Sequence, residues 1–449
     1  MNNFNKNKPR IFISISFMLI MIFIVFYYSS TSSVLTAKQS ISDIDTKDSY
    51  QTTSYTDTQN NNEAISDTDM ATNTLFTPDT EYEVINTPTD LEPVNVSNTP
   101  SVNIMMVGDI LLHTPVEEAA CTDSGSYDFG AIFTNTKDII SSADLALVNQ
   151  EVIIGGKELG VSGYPCFNAP EEIADALVDS GFDVICHGTN HALDKGKKGI
   201  INTLSNWKNK YPGIITLGIY DNQEDYETVT VTEVNGIKIA LLNYTYGTNG
   251  ISIPSDMPYC VDLMTKEKVI KDLDTAEKEA DFTIICPHWG TEYSLEHSKE
   301  QEEWCKIFLE HGADLVIGTH PHVIQDIQYY SDDNSEMLVY YSLGNFVNWT
   351  SGTGEGVANR MVGGIADVEI SKNISGKAYI ESYDVIPVVC HVESRQNGVT
   401  VYPLSEYNES LASKNEIQYQ DSSFSLNYCI NLIKDIWEDN CSFLLENAG

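Results

Sequence analysis

Positive charge is what this chain has least of: 25 Lys and Arg stand against 65 Asp and Glu in 449 residues, a net charge of −40. Phosphate backbones are gripped by clustered Lys and Arg, so this balance excludes a nucleic-acid partner and an anionic membrane surface. The acidic residues are spread along the chain and read as a solubilising surface. Any anionic substrate must then meet local positive charge, for which bound metal ions are the natural source. The nine cysteines include no C-x-x-C spacing, which removes Cys-type zinc sites and thioredoxin-like chemistry. Nine is odd, so at least one thiol is free in any compartment. The glycine-rich stretch Ser351–Gly356 lacks the Lys-Ser/Thr of a phosphate-binding loop and reads as a flexible surface loop.

Long apolar runs are scarce too. Residues 11–28 form an uncharged one, IFISISFMLIMIFIVFYY, behind Lys6, Lys8 and Arg10. At about 1.5 Å per residue, a helix of this length just spans a hydrocarbon core of roughly 30 Å. The basic residues keep 1–10 in the cytoplasm and put everything after residue 28 outside. A cleaved signal peptide competes with this reading. The run is longer than the usual signal core and no clear small-x-small site follows, which favours an uncleaved single-pass anchor in the cell membrane with the main domain extracytoplasmic. Residues 29–100 are rich in Ser, Thr, Asn and Asp, show no helical or strand period, and read as a disordered linker.

From residue 101 short apolar runs alternate with helical segments, the pattern of an α/β layered domain. Strands are predicted at 103–107, 145–149, 183–186, 214–217, 237–243, 282–286, 315–317 and 337–341. Helices are predicted from Pro170 to Gly181, over 265–280 and over 298–310. The runs 362–370 and 378–388 look antiparallel across a short turn. This order suggests two sheets in one domain over 101–390. Residues 391–449 form an extension whose single helix, Leu426–Leu445, is expected to pack on the domain. Cys186 and Cys286 end apolar runs and read as core residues. Cys429 and Cys441 would lie roughly 18 Å apart on a continuous helix, too far to pair.

The chemistry-bearing residues gather where strands end. Gly108-Asp109 and His113 follow IMMV, Asn149-Gln150-Glu151 follows LALV, and the run from His187 to His191 follows DVIC. His288-Trp289-Gly290-Thr291-Glu292 follows TIIC, and Gly318-Thr319-His320-Pro321-His322 follows DLVI. Ligand sites of α/β proteins form at such strand ends. Imidazole, carboxylate and amide donors delivered from five of them suit a pair of divalent cations, which can polarise a phosphoryl group for in-line attack. Each element alone reads as a turn or a solvated loop. The joint pattern does not. His297, His311 and His391 stand outside it and read as structural. A carboxylate-pair glycosidase using Glu151 and Glu292 would explain none of the histidines.

The ordered motifs Gly108-Asp109, Asn149-Gln150-Glu151, Asn190-His191-Ala192-Leu193-Asp194-Lys195-Gly196, His288-Trp289-Gly290-Thr291-Glu292-Tyr293, Gly318-Thr319-His320-Pro321-His322 and Tyr341-Ser342-Leu343-Gly344-Asn345-Phe346 resemble those of the CapA family, the capsule and poly-γ-glutamate synthesis branch of the calcineurin-like metallophosphatases. The resemblance covers about residues 102–390. It implies a four-layer α-β-β-α sandwich and two divalent metal ions, Mn, Zn or Fe. It also implies a role in capsule or poly-γ-glutamate synthesis, either as a hydrolase of phosphoryl or related cell-envelope substrates or as a non-catalytic accessory that binds an anionic polymer for a synthase complex. By the same resemblance Asp109, Glu151, Asn190, His288, His320 and His322 are metal ligands, with Glu151 bridging, and His191 protonates the leaving oxygen. Asp194 and Glu292 would orient an imidazole or a water. The first motif lacks the Asp-x-His of the wider superfamily, which leaves the reach of His113 open, and Glu151 stands where the bridging residue is elsewhere an Asp.

Overall fold

The alternation of apolar and polar residues resolves into two sheets in the computed structural model, which describes residues 83–85, 100–331, 335–373, 375–394 and 398–446. The predicted anchor and cytoplasmic tail lie outside the described residues, as does almost all of the linker. Among the described residues no helix is long and apolar enough to cross a membrane. All of them fall within one compact unit, Asp79–Gly449.

In chain order the strands are β1 (Glu83–Ile85), β2 (Ser101–Ile110), β3 (Leu145–Asn149), β4 (Val184–Cys186) and β5 (Ile215–Leu217). Next come β6 (Thr230–Val234), β7 (Ile237–Thr245), β8 (Phe282–His288), β9 (Leu315–Ile317) and β10 (Ile327–Ser331). Last are β11 (Glu336–Tyr340), β12 (Asn345–Val347), β13 (Val362–Lys372), β14 (Ala378–Glu393) and β15 (Gly398–Pro403). One sheet runs β1-β10-β11-β9-β8-β7-β6 and the other β15-β14-β13-β2-β3-β4-β5, with β12 added beside β2. Strands β2 to β5 pair in parallel, as do β7, β8, β9 and β11. The functional strand ends of each sheet therefore share an edge.

The inner faces close on one another. Ile239, Leu241, Ile284, Cys286, Leu315 and Leu338 from one sheet join a core with Ile104, Met106, Leu147, Ile185 and Ile365 from the other. Cys286 Sγ meets Met106 Sδ across this interface at 3.6 Å. The alternate residues Ala240, Leu242, Ile285, Val316 and Val339 face the helices Lys266–Glu279 and Lys299–Glu310 through Val269, Leu273, Trp304 and Phe308. Each buried Val, Leu, Ile, Met or Phe among them contributes about 1.5–3 kcal/mol, and the period-2 alternation allows both faces to be covered. Both helices begin at side-chain caps, Thr265 accepting from Lys268 N, and Ser298 forming a capping box with Gln301. Between β2 and β4, the short helices Gly130–Phe133 and Lys137–Ile140 and the longer Glu172–Asp179 put Phe133, Ile140, Ile173 and Leu177 into the core of the other sheet.

Several features differ from the sequence expectation. Within the expected linker, β1 pairs antiparallel with β10. The helix Gly196–Lys210 was not anticipated, although Ile200, Thr203, Leu204 and Trp207 are its buried stripe. The sheet continues past residue 390, because β14 runs to Glu393 and β15 pairs with it. The C-terminal helix is broken into Leu426–Trp437, a 3₁₀ turn and Ser442–Glu446, and Glu438 turns the chain at φ +44°. The break lets Trp437 donate to the Gln325 carbonyl at 3.0 Å while Asp384 receives Ser442 N at 2.9 Å. Cys429, Leu432 and Ile433 are buried, so this segment packs on the domain as expected. All nine cysteines are free, with Cys186 and Cys286 buried.

Candidate metal centre

The site sits where the C-terminal ends of β2, β3 and β4 meet those of β8 and β9. Close approach at this edge depends on glycine: a Cβ on Gly108 would stand 2.0 Å from the Gly344 carbonyl. That carbonyl receives Asp109 N at 3.0 Å. Asp109 is wholly buried, its Oδ1 receiving the Asn149 amide at 2.8 Å and its Oδ2 lying 3.1 Å from His322 Nδ1. His320 and His322 both carry positive φ, +98° and +60°. Such backbone conformations in residues other than glycine persist only where surrounding packing enforces them, and they concentrate at functional sites.

Glu151 is the centre of the cluster. Its Oε1 lies 3.7 Å from His322 Nε2, 3.8 Å from His288 Nε2 and 4.0 Å from His191 Nε2. Yet both carboxylate oxygens are buried without a hydrogen-bond partner, and so is His320 Nδ1. A buried carboxylate left this way costs several kcal/mol unless a cation compensates it. Glu151, His320 and His322 present ligand atoms that all lie within 4.8 Å of one another, a spacing able to hold a metal ion. Across the two sheets, His288 Nε2 meets Asn190 Oδ1 at 2.9 Å. The donor set of carboxylate, imidazole and amide oxygen suits a borderline divalent cation.

Electrostatics point the same way. Burial raises the Glu151 carboxyl well above the usual range, helped by the nearby Asp109. Burial lowers His288 and His320, and repulsion from neighbouring imidazoles, His322 among them, adds to it. Burial also opposes charge on His322, but Glu151 and Asp109 overcome it and lift the ring to about 9. The Nδ1 atoms of His288 and His322 are held by the protein: Thr319 Oγ1 lies 3.1 Å from His288 Nδ1, and Asn345 Oδ1 lies 3.0 Å from His322 Nδ1. Outer partners of this kind fix ring orientation in metal sites.

Of the remaining predicted residues, His191 stands at the edge of the cluster, with Asp194 Oδ2 2.7 Å from its Nδ1. Asp194 is itself anchored by Phe167 N at 2.7 Å. His113 packs edge-on to Phe167, whose ring also meets His191. Its pKa falls to about 4 through burial and the neighbouring His322 and His191. Glu292 is exposed at the mouth, and its charge raises the adjacent Tyr293 hydroxyl after burial has done so. His187 lies apart, accepting from Trp207 Nε1 at 2.9 Å. His297, His311 and His391 bond to Asp326, Asp274 and Tyr407. Trp289 packs on Phe308 and donates to the Tyr341 carbonyl.

Sequence reasoning gave no role to Asn149, Thr319, Asn345 or Tyr246. Asn149, Thr319 and Asn345 do lie inside motifs it singled out. Tyr246, 46 % exposed, packs on His320 with ring centroids 4.7 Å apart and carries no motif signal at all.

Comparison with known proteins follows this geometry. The capsule biosynthesis protein CapA of Bacillus anthracis is 28% identical over 270 residues, 58% of this chain and 63% of that protein. The PGA biosynthesis protein CapA of Bacillus subtilis (strain 168) is 28% identical over 256 residues, 54% of this chain and 63% of that one. The matched stretch thus spans less than two thirds of either relative. Among solved structures, a 5'-nucleotidase precursor from Thermus thermophilus overlays 64% of this chain and 54% of its own, with 13% identity and a TM-score of 0.40. The model of the bacterial capsule synthesis protein family PGA_cap matches residues 103–350. That stretch is more than half of the chain and contains every residue of the cluster, and the protein belongs to that family.

Proposed function

We propose that this protein is a metal-dependent hydrolase of phosphoryl esters or related cell-envelope substrates, serving capsule or poly-γ-glutamate synthesis from the outer face of the cell membrane. Residues 11–28 would anchor it as a single span, and the helix–sheet–sheet–helix layering would be the four-layer sandwich of the calcineurin-like metallophosphatases. The observation that carries the reading is Glu151: a buried carboxylate with two unpartnered oxygens, facing three imidazoles at 3.7–4.0 Å.

Two divalent ions, Mn, Zn or Fe, would be held by Asp109, Glu151, Asn190, His288, His320 and His322. When bound, such ions supply positive charge that draws in a phosphoryl group and offsets charge developing on it. The chain's own residues do the rest. Asn345, Thr319 and Asn149 keep the ligand rings and Asp109 in register. The Asp194 carboxylate accepts a hydrogen bond from His191 Nδ1–H and turns Nε2 toward the cluster, where the imidazolium form can pass its Nε2 proton to a leaving oxygen and is left as the neutral Nδ1–H ring. Phe167 closes one side of that ring against water.

Elemental analysis of the purified exported domain, together with phosphomonoester and phosphodiester assays under added Mn, Zn or Fe, tests this. Close to two metals per chain with metal-dependent turnover is the expected result, and His191→Ala should abolish turnover while leaving the metal in place. Absence of metal would overturn the ligand set. The names of the two CapA relatives, which speak of capsule and PGA biosynthesis, favour a second reading, in which the same centre binds or routes an anionic polymer without cleaving it. Metal without turnover, and a metal-dependent polymer pull-down indifferent to His191→Ala, would select that reading.

A further inference from the structure

The chain has three arginines, at 10, 360 and 395, and Arg360 is the one among the described residues. Lysines elsewhere in the fold follow the acidic excess: Lys137 pairs with Asp179 at 2.6 Å, Lys197 with Asp256 at 2.7 Å and Lys372 with Asp281 at 2.8 Å. Arg360 does not. Among the described residues it makes no ion pair. Its guanidinium instead lies over the Tyr293 ring, 3.6 Å from the centroid, and Nη1 donates to Thr350 Oγ1 at 3.0 Å. A guanidinium has five N–H donors, so most of this fork is free.

Its placement is built. The Asn345 amide donates to the Arg360 carbonyl at 3.1 Å and to the His322 carbonyl at 3.1 Å, while its oxygen holds His322 Nδ1. On the other side the Tyr293 ring stands 6.0 Å from the His322 ring. Arg360 is thus tied to the metal-type cluster by two routes. The stretch Ser351–Gly356, expected to be a flexible loop, folds onto this residue: Gly352 N donates to Thr350 Oγ1 at 3.0 Å, and a Cβ on Gly352 would approach Nη1 to 3.3 Å. The C-terminal extension fixes that loop in turn. Gln420 donates to the Thr350 carbonyl, and Asp421 Oδ2 receives Gly356 N at 2.9 Å and Ala358 N at 3.3 Å.

The geometry points to Arg360, backed by Tyr293, as the residue that grips an anionic group of the ligand, a carboxylate or a phosphate, beside the metal-type cluster. It rests on the reading of that cluster as the ligand-binding centre. In a chain of net charge −40, an unpaired guanidinium at a mouth lined by a half-exposed tyrosine supplies the local positive charge that an anionic ligand requires. The planar fork matches two oxygens of a carboxylate or phosphate at once, which a lysine ammonium does not. The tyrosine face holds the guanidinium in place when the anion is absent.

Isothermal titration of the metal-loaded full-length chain with two probes, inorganic phosphate and a triglutamate peptide, tests the assignment in the wild type, Arg360→Gln and Arg360→Lys. The dissociation constant of at least one probe should rise about tenfold or more in Arg360→Gln and less in Arg360→Lys, since a charge-assisted bidentate contact is lost or halved. The probe that responds identifies the oxyanion. Unchanged constants for both probes in both variants, at unchanged metal content, overturn the assignment. Arg360→Lys retains the charge and the aliphatic stem and carries the test if Arg360→Gln does not fold. No turnover enters this measurement, so it stands or falls separately from the hydrolase reading.

Discussion

His191 Nδ1 lies 2.7 Å from Asp194 Oδ2 while its Nε2 stands 4.0 Å from Glu151 Oε1. A carboxylate at that distance keeps the ring proton on Nδ1, so the nitrogen facing the cluster is the one free to exchange a proton with a ligand. Asp194→Asn would present an amide that can offer its N–H to Nδ1 and favour the opposite tautomer. Turnover of a phosphodiester should fall about 10–100-fold, with KM and metal content little changed. A variant of wild-type rate would show that Asp194 serves only to anchor Phe167 N.

Glu151→Gln separates metal binding from folding. Glutamine keeps the shape and removes the buried charge, so the metal-free variant should melt no lower than metal-free wild type at neutral pH. The wild type should gain about 2.7 kcal/mol when free metal reaches about 100 times its dissociation constant. The variant should gain little of this. Differential scanning fluorimetry with and without Mn or Zn reads both effects, and equal metal-induced shifts in the two proteins would remove Glu151 from the ligand set.

Strand positions were legible because the central strands are apolar runs bounded by turn residues: 145–149 and 315–317 coincide with β3 and β9. The strands β6, β10 and β15 were not, since they are short or carry mixed polarity near the sheet margins. The helix Gly196–Lys210 hid behind two glycines and four lysines, although its 200-203-204-207 stripe has the helical period. At the site, the motifs named residues but could not sort them. His187 and His191 occupy one short loop, yet only the second turns toward Glu151. Burial beside Trp207 lowers His187 to about 3 and makes it a core acceptor. Arg360 carried no motif, and its place follows from tertiary packing of the loop and the C-terminal extension, which no local pattern encodes.

The C-terminal extension should prove integral to the domain. Trp437 is 1 % exposed, donates to Gln325 O at 3.0 Å, and leaves Gly364 no room, since a Cβ there would meet its ring at 2.8 Å. Trp437→Ala should lower unfolding free energy by about 3–5 kcal/mol, and Gly364→Ala should destabilise through overpacking by about 1–3 kcal/mol. Urea denaturation measures both. A loss under about 1 kcal/mol for Trp437→Ala, well below the usual cost of such a cavity, would mean that the segment is a dispensable appendage.

Stability should also depend on pH through Glu117. This residue lies in the short helix Thr114–Ala120, 4 % exposed, with Oε1 unpartnered. Burial, with a smaller contribution from Glu118, pushes its carboxyl from 4.5 to about 7. The folded state thus holds a proton that the unfolded chain has released. Between about pH 4.5 and 7 the native form binds more protons, so the slope of stability against pH is negative. The contribution is whole below pH 4.5, fades through the window and is gone above about 7. A shift of this size corresponds to at most about 3 kcal/mol. Glu117→Gln, which mimics the protonated side chain, should flatten that part of the curve and stabilise the protein at about pH 8, above the folded-state value. Chemical denaturation of both proteins, metal-free, at about pH 5 and about pH 8 measures the difference. Equal pH dependence in the two would show that Glu117 ionises in the folded state at no cost.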